Sequence, residues 1–209
     1  MPSLTRMIKK VLKVPNAIQL ADAIRSGRVS PELRITARGK TDGAGAQANA
    51  CMSAIAFAKA NGLRYVHTPL QSVAHAEGDP DLWTARWEAF FGLGTSETTA
   101  DATPETKVVN IKTFLNNRTL WKRSDIILHA EHFHDFCNLQ PDVYVPVLPE
   151  IRSLFRNANA RSFLPKPDAG LVMAVHIRRG DVSLTDAETA SRFTDDQAIL
   201  ATIQQCHKA

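Results

Sequence analysis

Residues 31–70 read PELRITARGKTDGAGAQANACMSAIAFAKANGLRYVHTPL. At the start of this stretch apolar residues alternate with charged or polar ones, which predicts a strand over residues 31–38. A glycine-rich turn follows, and then a helix is predicted over residues 48–62, where it ends at an Asn-Gly pair. Residues 63–70 predict a second strand. A strand, glycine turn, helix and strand in this order are the βαβ unit of a parallel α/β sheet.

Further helices and strands are predicted on both sides of this unit. The clearest helix start is Asp79-Pro80, because Asp79 can cap the helix and proline fits its first turn. That helix is expected to end at Gly92 or Gly94. The other predicted segments are helices over residues 17–25 and 147–158 and strands over residues 107–111 and 125–130.

A domain boundary is predicted late in the chain. Residues 164–170, LPKPDAG, are typical of a rigid polar linker. A strand over residues 170–177 and a helix from about Asp195 are expected to follow it. One strand and one helix cannot bury a core of their own. We therefore expect an α/β domain over residues 1–165 and the beginning of a second, incomplete domain over residues 170–209. This last segment either packs onto the first domain or is part of a longer protein.

Composition indicates an ordinary globular protein whose mildly basic charge is compatible with a phosphate-bearing ligand. The chain has 209 residues, of which 44% are hydrophobic and 22% charged, with a formal net charge of +4. No block of lysine and arginine with interleaved aromatic residues is present, so no nucleic-acid partner is expected. Cys51, Cys137 and Cys206 are an odd, widely spaced set, which argues against a disulfide framework and fits a reducing cytoplasm.

The N-terminal sequence does not predict a signal peptide or a transmembrane segment. No apolar run approaches the length that a membrane-spanning helix needs, and no small-residue cleavage site follows the first cationic residues. The apolar spacing over residues 4–12 predicts a short amphipathic helix. Such a helix either packs onto the body of the protein or makes peripheral contact with a membrane surface.

The stretch VMAVHIRRGDV, residues 172–182, predicts a ligand site at the end of a buried strand. In open parallel sheets, ligands bind beyond the carboxyl ends of the strands. His176, Arg178, Arg179 and Asp181 fall at such an end, and an arginine fork matches two phosphate oxygens at once. The alternative is a solvated arginine pair that forms a salt bridge with Asp181.

Two motifs together resemble a known enzyme family. HIRRGD, residues 176–181, resembles the H-x-R-R-x-D signature of the α1,2-, α1,6- and protein O-fucosyltransferase superfamily. DGAGAQ, residues 42–47, is similar to that family's N-terminal G-x-G-N-Q pattern, with Ala46 where the family has asparagine. The two motifs occur in the order that the family has. Three residues of the glycine pattern align: Gly43, Gly45 and Gln47.

The resemblance implies a GT-B architecture of two Rossmann-like domains and a metal-independent, inverting transfer of fucose from GDP-fucose to a glycan hydroxyl, with no cofactor. A bacterial cell-surface glycan is the suggested acceptor. By position, Arg178 is expected to hold the β-phosphate as charge develops on it. Arg179 is expected to support Arg178 or the nucleotide. The residues expected to shape the nucleotide-sugar pocket are His176, Asp181, Gly43, Gly45 and Gln47.

A dinucleotide site is an alternative interpretation of the glycine turn. Residues 43–48, GAGAQA, also satisfy the fingerprint G-x-G-x-x-G/A. That fingerprint requires an acidic residue at the end of the next strand, and residues 63–70 contain none. We therefore expect neither a nicotinamide nor a flavin. Close packing of helix and strand through small residues is the structural alternative.

A histidine cluster offers a second function. His129, His132 and His134, with Glu131 and Asp135, could bind zinc, iron or manganese and support a metal-dependent hydrolase or oxygenase. The same residues could instead be structural or line a substrate cleft. A third hypothesis is a non-catalytic protein that binds a glycan or a nucleotide.

Overall fold

The structure is a computed structural model. It describes residues 15–74, 76, 78–94, 106–157, 185, 190 and 194–208. The chain divides into two compact units, residues 1–164 and 165–209. The predicted N-terminal helix, the linker and the strand over residues 170–177 lie outside the described residues.

Helices and strands alternate through the first unit. In chain order they are α1 (Asn16–Arg25), β1 (Arg34–Ala37), α2 (Ala44–Ala60), β2 (Arg64–Tyr65), α3 (Pro80–Phe91), β3 (Lys107–Asn110), α4 (Ile111–Asn116), β4 (Ile126–Ala130), α5 (His134–Leu139) and α6 (Leu148–Asn157). Two short 3₁₀ helices cover Arg118–Leu120 and Pro141–Tyr144. The second unit contains α7 (Asp196–Lys208), close to the predicted start near Asp195.

The four strands form one parallel sheet in the order β2-β1-β4-β3. Ile35 of β1 pairs with Tyr65 on one side and Leu128 on the other, and Leu128 also pairs with Val109 of β3. The predicted α/β class is therefore confirmed. Because all strands run the same way, their carboxyl ends meet along a single edge of the sheet.

The core lies between the central strands and α2. Ile35 and Leu128 are fully buried, as expected for strands covered on both faces. Most of α2 is buried as well, which fits its apolar character on all sides. Phe57 of α2 packs against Phe133 and Phe136, with ring centroids 4.6 and 4.9 Å away.

Two boundaries differ from the predictions in a way that affects the site. Helix α2 begins at Ala44, four residues earlier than expected, so Gly45 and Gln47 belong to a helix and not to a turn. The alanines that flank these residues have the highest helix propensity, which explains the early start. The predicted strand over residues 63–70 is reduced to the two residues of β2.

The helix ends follow capping chemistry. Asp79 accepts hydrogen bonds from the backbone N–H groups of Asp81 and Leu82, as predicted for the start of α3. That helix ends at Gly92, whose φ of 61° favours glycine. Helices α4 and α5 were not predicted, because six residues are too few to show a helical period.

Candidate functional site

The first cleft at the carboxyl edge lies beyond β1 and β2. Its polar lining includes Arg38, Lys40, Gln47, Gln71 and Glu131. We call it the β1–β2 cleft. Its interior volume of about 20 Å³ has room for little more than a water molecule. A larger ligand would therefore lie across the mouth of this cleft.

A second cleft opens beyond β3 and β4 on the same edge. We call it the β3–β4 cleft. It has a volume of about 310 Å³, and its polar lining consists of Asn16, Asn110, Lys112, Glu131, His132 and Asp135. Glu131, the first residue after β4, lines both clefts. The exposed Glu131 carboxylate therefore stands between two sites that could hold different ligands.

The two glycines of the predicted motif lie beside open space. Gly43 is the N-terminal cap of α2 and makes no side-chain capping bond, and Gly45 lies in its first turn. A Cβ atom added at either position would meet no atom within 4 Å. Close helix–strand packing therefore does not explain these glycines in the described part of the chain. They leave the start of α2 accessible to a ligand.

Gln47 fixes the width of the β1–β2 cleft. Its side chain is buried, and Nε2 donates to the backbone carbonyls of Asp42 and Ser72, both at 2.7 Å. Asp42 belongs to the loop after β1 and Ser72 to the loop after β2. The amide nitrogen of Gln47 thus joins the two walls, which makes Gln47 a positioning residue in the described structure.

Two cationic residues at the end of β1, Arg38 and Lys40, were not predicted as site residues from the sequence. Arg38 follows β1 directly, and its N–H donates to the carbonyl of Ala130 at 2.9 Å. Lys40 forms a 2.7 Å ion pair with Asp42. Between them, Gly39 has a φ of 104°, which side chains rarely adopt. The signal was present in the sequence, since cations that follow a buried strand fall at the ligand-binding edge of a parallel sheet.

A hydrogen-bond network of Tyr65, His67 and Glu88 extends to the backbone of the β1–β2 cleft. Tyr65 Oη lies 3.0 Å from His67 Nδ1, and His67 Nε2 lies 2.6 Å from Glu88 Oε1. The other carboxylate oxygen of Glu88 accepts from the backbone N–H of Leu70, which lines the β1–β2 cleft. Burial raises the pKa of Glu88, but the hydrogen bonds from His67 and Leu70 outweigh it, so the pKa is below its ordinary value.

The histidine cluster surrounds a residue that belongs to the hydrophobic core. Phe133, in the middle of the cluster, is fully buried, and its N–H donates to Ser53 Oγ of α2. The rings of His132 and His134 stack at 4.7 Å. Burial lowers the pKa of His134, which favours the neutral imidazole. In the part of the chain that the structure describes, no group of three or more His, Cys, Asp or Glu side chains is arranged to hold a metal ion.

The predicted arginine site is not among the described residues. His176, Arg178, Arg179 and Asp181 all lie in the stretch that the structure leaves out. None of the described helices is long and apolar enough to cross a membrane. Comparison of the chain with protein-family models, curated proteins and solved structures finds no match.

Proposed function

We propose that this chain is a cytoplasmic glycosyltransferase of GT-B type that transfers fucose from GDP-fucose to a glycan hydroxyl without a metal ion. The observation that carries the proposal is the pair of motifs in one chain. HIRRGD at residues 176–181 and DGAGAQ at residues 42–47 resemble motifs of the fucosyltransferase superfamily and occur in the same order, with Ala46 in place of the family asparagine. Either motif alone would be a weaker argument.

The α/β fold supports the proposal. Gly43 and Gly45, at the start of α2, follow β1 at the edge of a parallel sheet, where nucleotide ligands bind in α/β proteins. Gln47, the fourth residue of α2, lines the β1–β2 cleft together with Arg38 and Lys40. A helix N-terminus with nearby cations favours an anionic ligand.

The proposed reaction needs charge stabilisation and one proton acceptor. The acceptor oxygen forms a bond to the anomeric carbon of fucose, the bond from that carbon to the β-phosphate oxygen breaks, and GDP leaves. Arg178 would balance the charge that develops on the β-phosphate. The acceptor hydroxyl gives its proton to a general base as the new bond forms.

The metal-dependent alternative has less support. Two of its histidines, His132 and His134, flank the core Phe133, and their rings stack on each other. This arrangement is typical of packing. We therefore do not argue for a hydrolase or an oxygenase.

The experiment that tests the proposal is a thermal unfolding assay with GDP. We expect GDP to raise the unfolding midpoint of the 209-residue chain, because a ligand that binds the folded state stabilises it by mass action. Arg178→Ala should abolish the increase. Arg25→Ala, a change at an exposed arginine of α1, is the matched control and should retain it. An unchanged midpoint in the wild-type chain with GDP at millimolar concentration would contradict the proposal.

A further inference from the structure

Helices α3 and α6 form an apolar surface that the proposed reaction does not use. A groove of about 330 Å³ lies between them and α2, which is within the size range of ligand pockets. Its lining is almost entirely apolar, and its largest members are Met52, Phe91, Ile151 and Phe155. Two arginines, Arg152 and Arg156, are its charged members. We call the groove and the outer sides of α3 and α6 the α3–α6 face.

Aromatic side chains extend this face along α3. Trp83 lies 5.9 Å from Trp87 between ring centroids, and Trp87 stacks on Phe91 at 5.7 Å. Phe90 meets Phe155 of α6 at 5.3 Å, so the aromatic residues are continuous across both helices. All five rings are only partly buried. Rings of this kind, half covered by protein, are typical of an interface.

Large aliphatic side chains are exposed beside the aromatic ones. Leu148 lies one helical turn before Ile151 on α6 and is 38% exposed. On α3, Leu82 is 52% exposed, and four-residue spacing places it in one row with Arg86 and Phe90. The apolar face therefore continues onto the solvent-exposed sides of both helices.

Cations border the apolar part of this face. Arg152 and Arg156 are four residues apart and exposed, so they share one flank of α6. The acidic residue of that helix, Glu150, is two residues from Arg152 and therefore lies on nearly the opposite side. Arg86 adds a third exposed cation on α3. An occupant of this face must combine apolar groups with negative charge.

The charges disfavour two occupants. A second copy of the chain, paired about a two-fold axis, would place the same arginine-bordered patch against itself. The first 14 residues of the chain contain four lysines and arginines and no acidic residue, so they carry the same sign as the groove. Tryptophan, exposed leucine and arginine on adjacent helices are instead the combination that lies at a membrane interface.

We propose that the α3–α6 face docks on the surface of an anionic lipid bilayer. Phe155, Leu82 and Leu148 enter the acyl region, and Trp83 and Trp87 lie at the level of the headgroups. Arg86 and Arg152 contact lipid phosphates. Acyl chains that enter the groove would complete the contact.

The test uses the full chain and two sets of vesicles. Co-sedimentation should show binding to vesicles of phosphatidylglycerol and phosphatidylcholine, and much weaker binding to phosphatidylcholine alone. Salt at 1 M should weaken the binding, because it screens the lipid charge. Brominated lipids should quench Trp83 and Trp87 and leave Trp121, which is buried on another part of the unit, unquenched.

Two variants decide whether this face is responsible. Arg152→Gln should weaken vesicle binding about fivefold, and Phe155→Ala should weaken it roughly tenfold. Arg25→Gln, an exposed change of the same charge on α1, should bind as the wild type does. Arg152 is exposed, so its variant is expected to keep the thermal midpoint.

Four results would overturn the proposal. The first is no binding to anionic vesicles, and the second is equal binding to both kinds of vesicle. The third is that Arg25→Gln and Arg152→Gln weaken vesicle binding equally. The fourth is that the chain does not bind vesicles and instead forms a dimer that Phe155→Ala dissociates. The proposal does not depend on GDP binding, so it can fail or succeed separately from the proposed function.

Discussion

At the scale of single residues, the walls of the β1–β2 cleft depend on two polar side chains, one buried and one partly exposed. Gln47 joins the loop after β1 to the loop after β2, and Glu88 holds the backbone of Leu70. Neither side chain needs a ligand to satisfy these hydrogen bonds. Both therefore shape the cleft before any substrate arrives, and both can be tested by stability measurements.

Replacing Gln47 by alanine should destabilise the fold by about 1–3 kcal/mol, because the carbonyls of Asp42 and Ser72 lose their donor. Urea unfolding would measure the difference. Gln71→Ala is the matched control, since Gln71 lines the same cleft but is exposed. A change within about 0.5 kcal/mol is expected for it. Equal effects of the two substitutions would refute the positioning role of Gln47.

The Glu88 network predicts a dependence of stability on pH. The pKa of Glu88 is lower in the folded protein than its ordinary value of 4.5. Its contribution is therefore fully present above about pH 4.5 and is lost as the pH falls through the lower, folded pKa. The free-energy difference between wild type and Glu88→Gln should be largest at neutral pH and should shrink in acid. A difference that is constant from pH 7 to pH 3 would exclude this mechanism.

At the scale of helices and strands, much of the βαβ unit could be predicted, but the exact boundaries could not. Alternation over residues 31–38 identified β1, and the Asn-Gly pair at residues 61–62 located the end of α2. The start of α2 was misplaced because a run of alanine and glycine is equally compatible with a turn. Strand β2 was overestimated: after Tyr65 the chain still bonds to β1 through the N–H of Val66, which donates to the carbonyl of Ile35 at 2.9 Å, but no continuous strand extends to residue 70.

Substitution by alanine should change the stability of the fold in opposite directions at two glycines, Gly94 and Gly45. A Cβ atom at Gly94, shortly after α3, would lie 2.2 Å from the His67 ring, so Gly94→Ala should destabilise the fold by about 1–3 kcal/mol. Gly45 lies in α2 beside open space, so Gly45→Ala should stabilise it by about 0.5–1 kcal/mol. Thermal unfolding of both variants measures these changes. A stabilising Gly94→Ala would show that His67 is not packed as described.

At the scale of the whole molecule, fold class was easier to predict than the site. The order of segments indicated a parallel α/β sheet, and the four strands form one. The clefts are formed by loops that are far apart in the sequence and adjacent in the fold. Gly39 and Glu131 are an example, because a Cβ atom added at Gly39 would lie 3.7 Å from the Glu131 side chain. No sequence spacing predicts that contact, because more than 90 residues separate the two positions.

The most direct test of the proposed activity is the release of GDP from GDP-fucose by the 209-residue chain. We expect release above the background rate, with water as the acceptor where no glycan is supplied. Arg178→Ala should reduce that rate by at least about 100-fold, because the charge on the leaving β-phosphate is no longer balanced. Arg25→Ala should leave the rate unchanged. Release that is absent from the wild-type chain, or equal in the Arg178→Ala variant, would contradict the assignment as a fucosyltransferase.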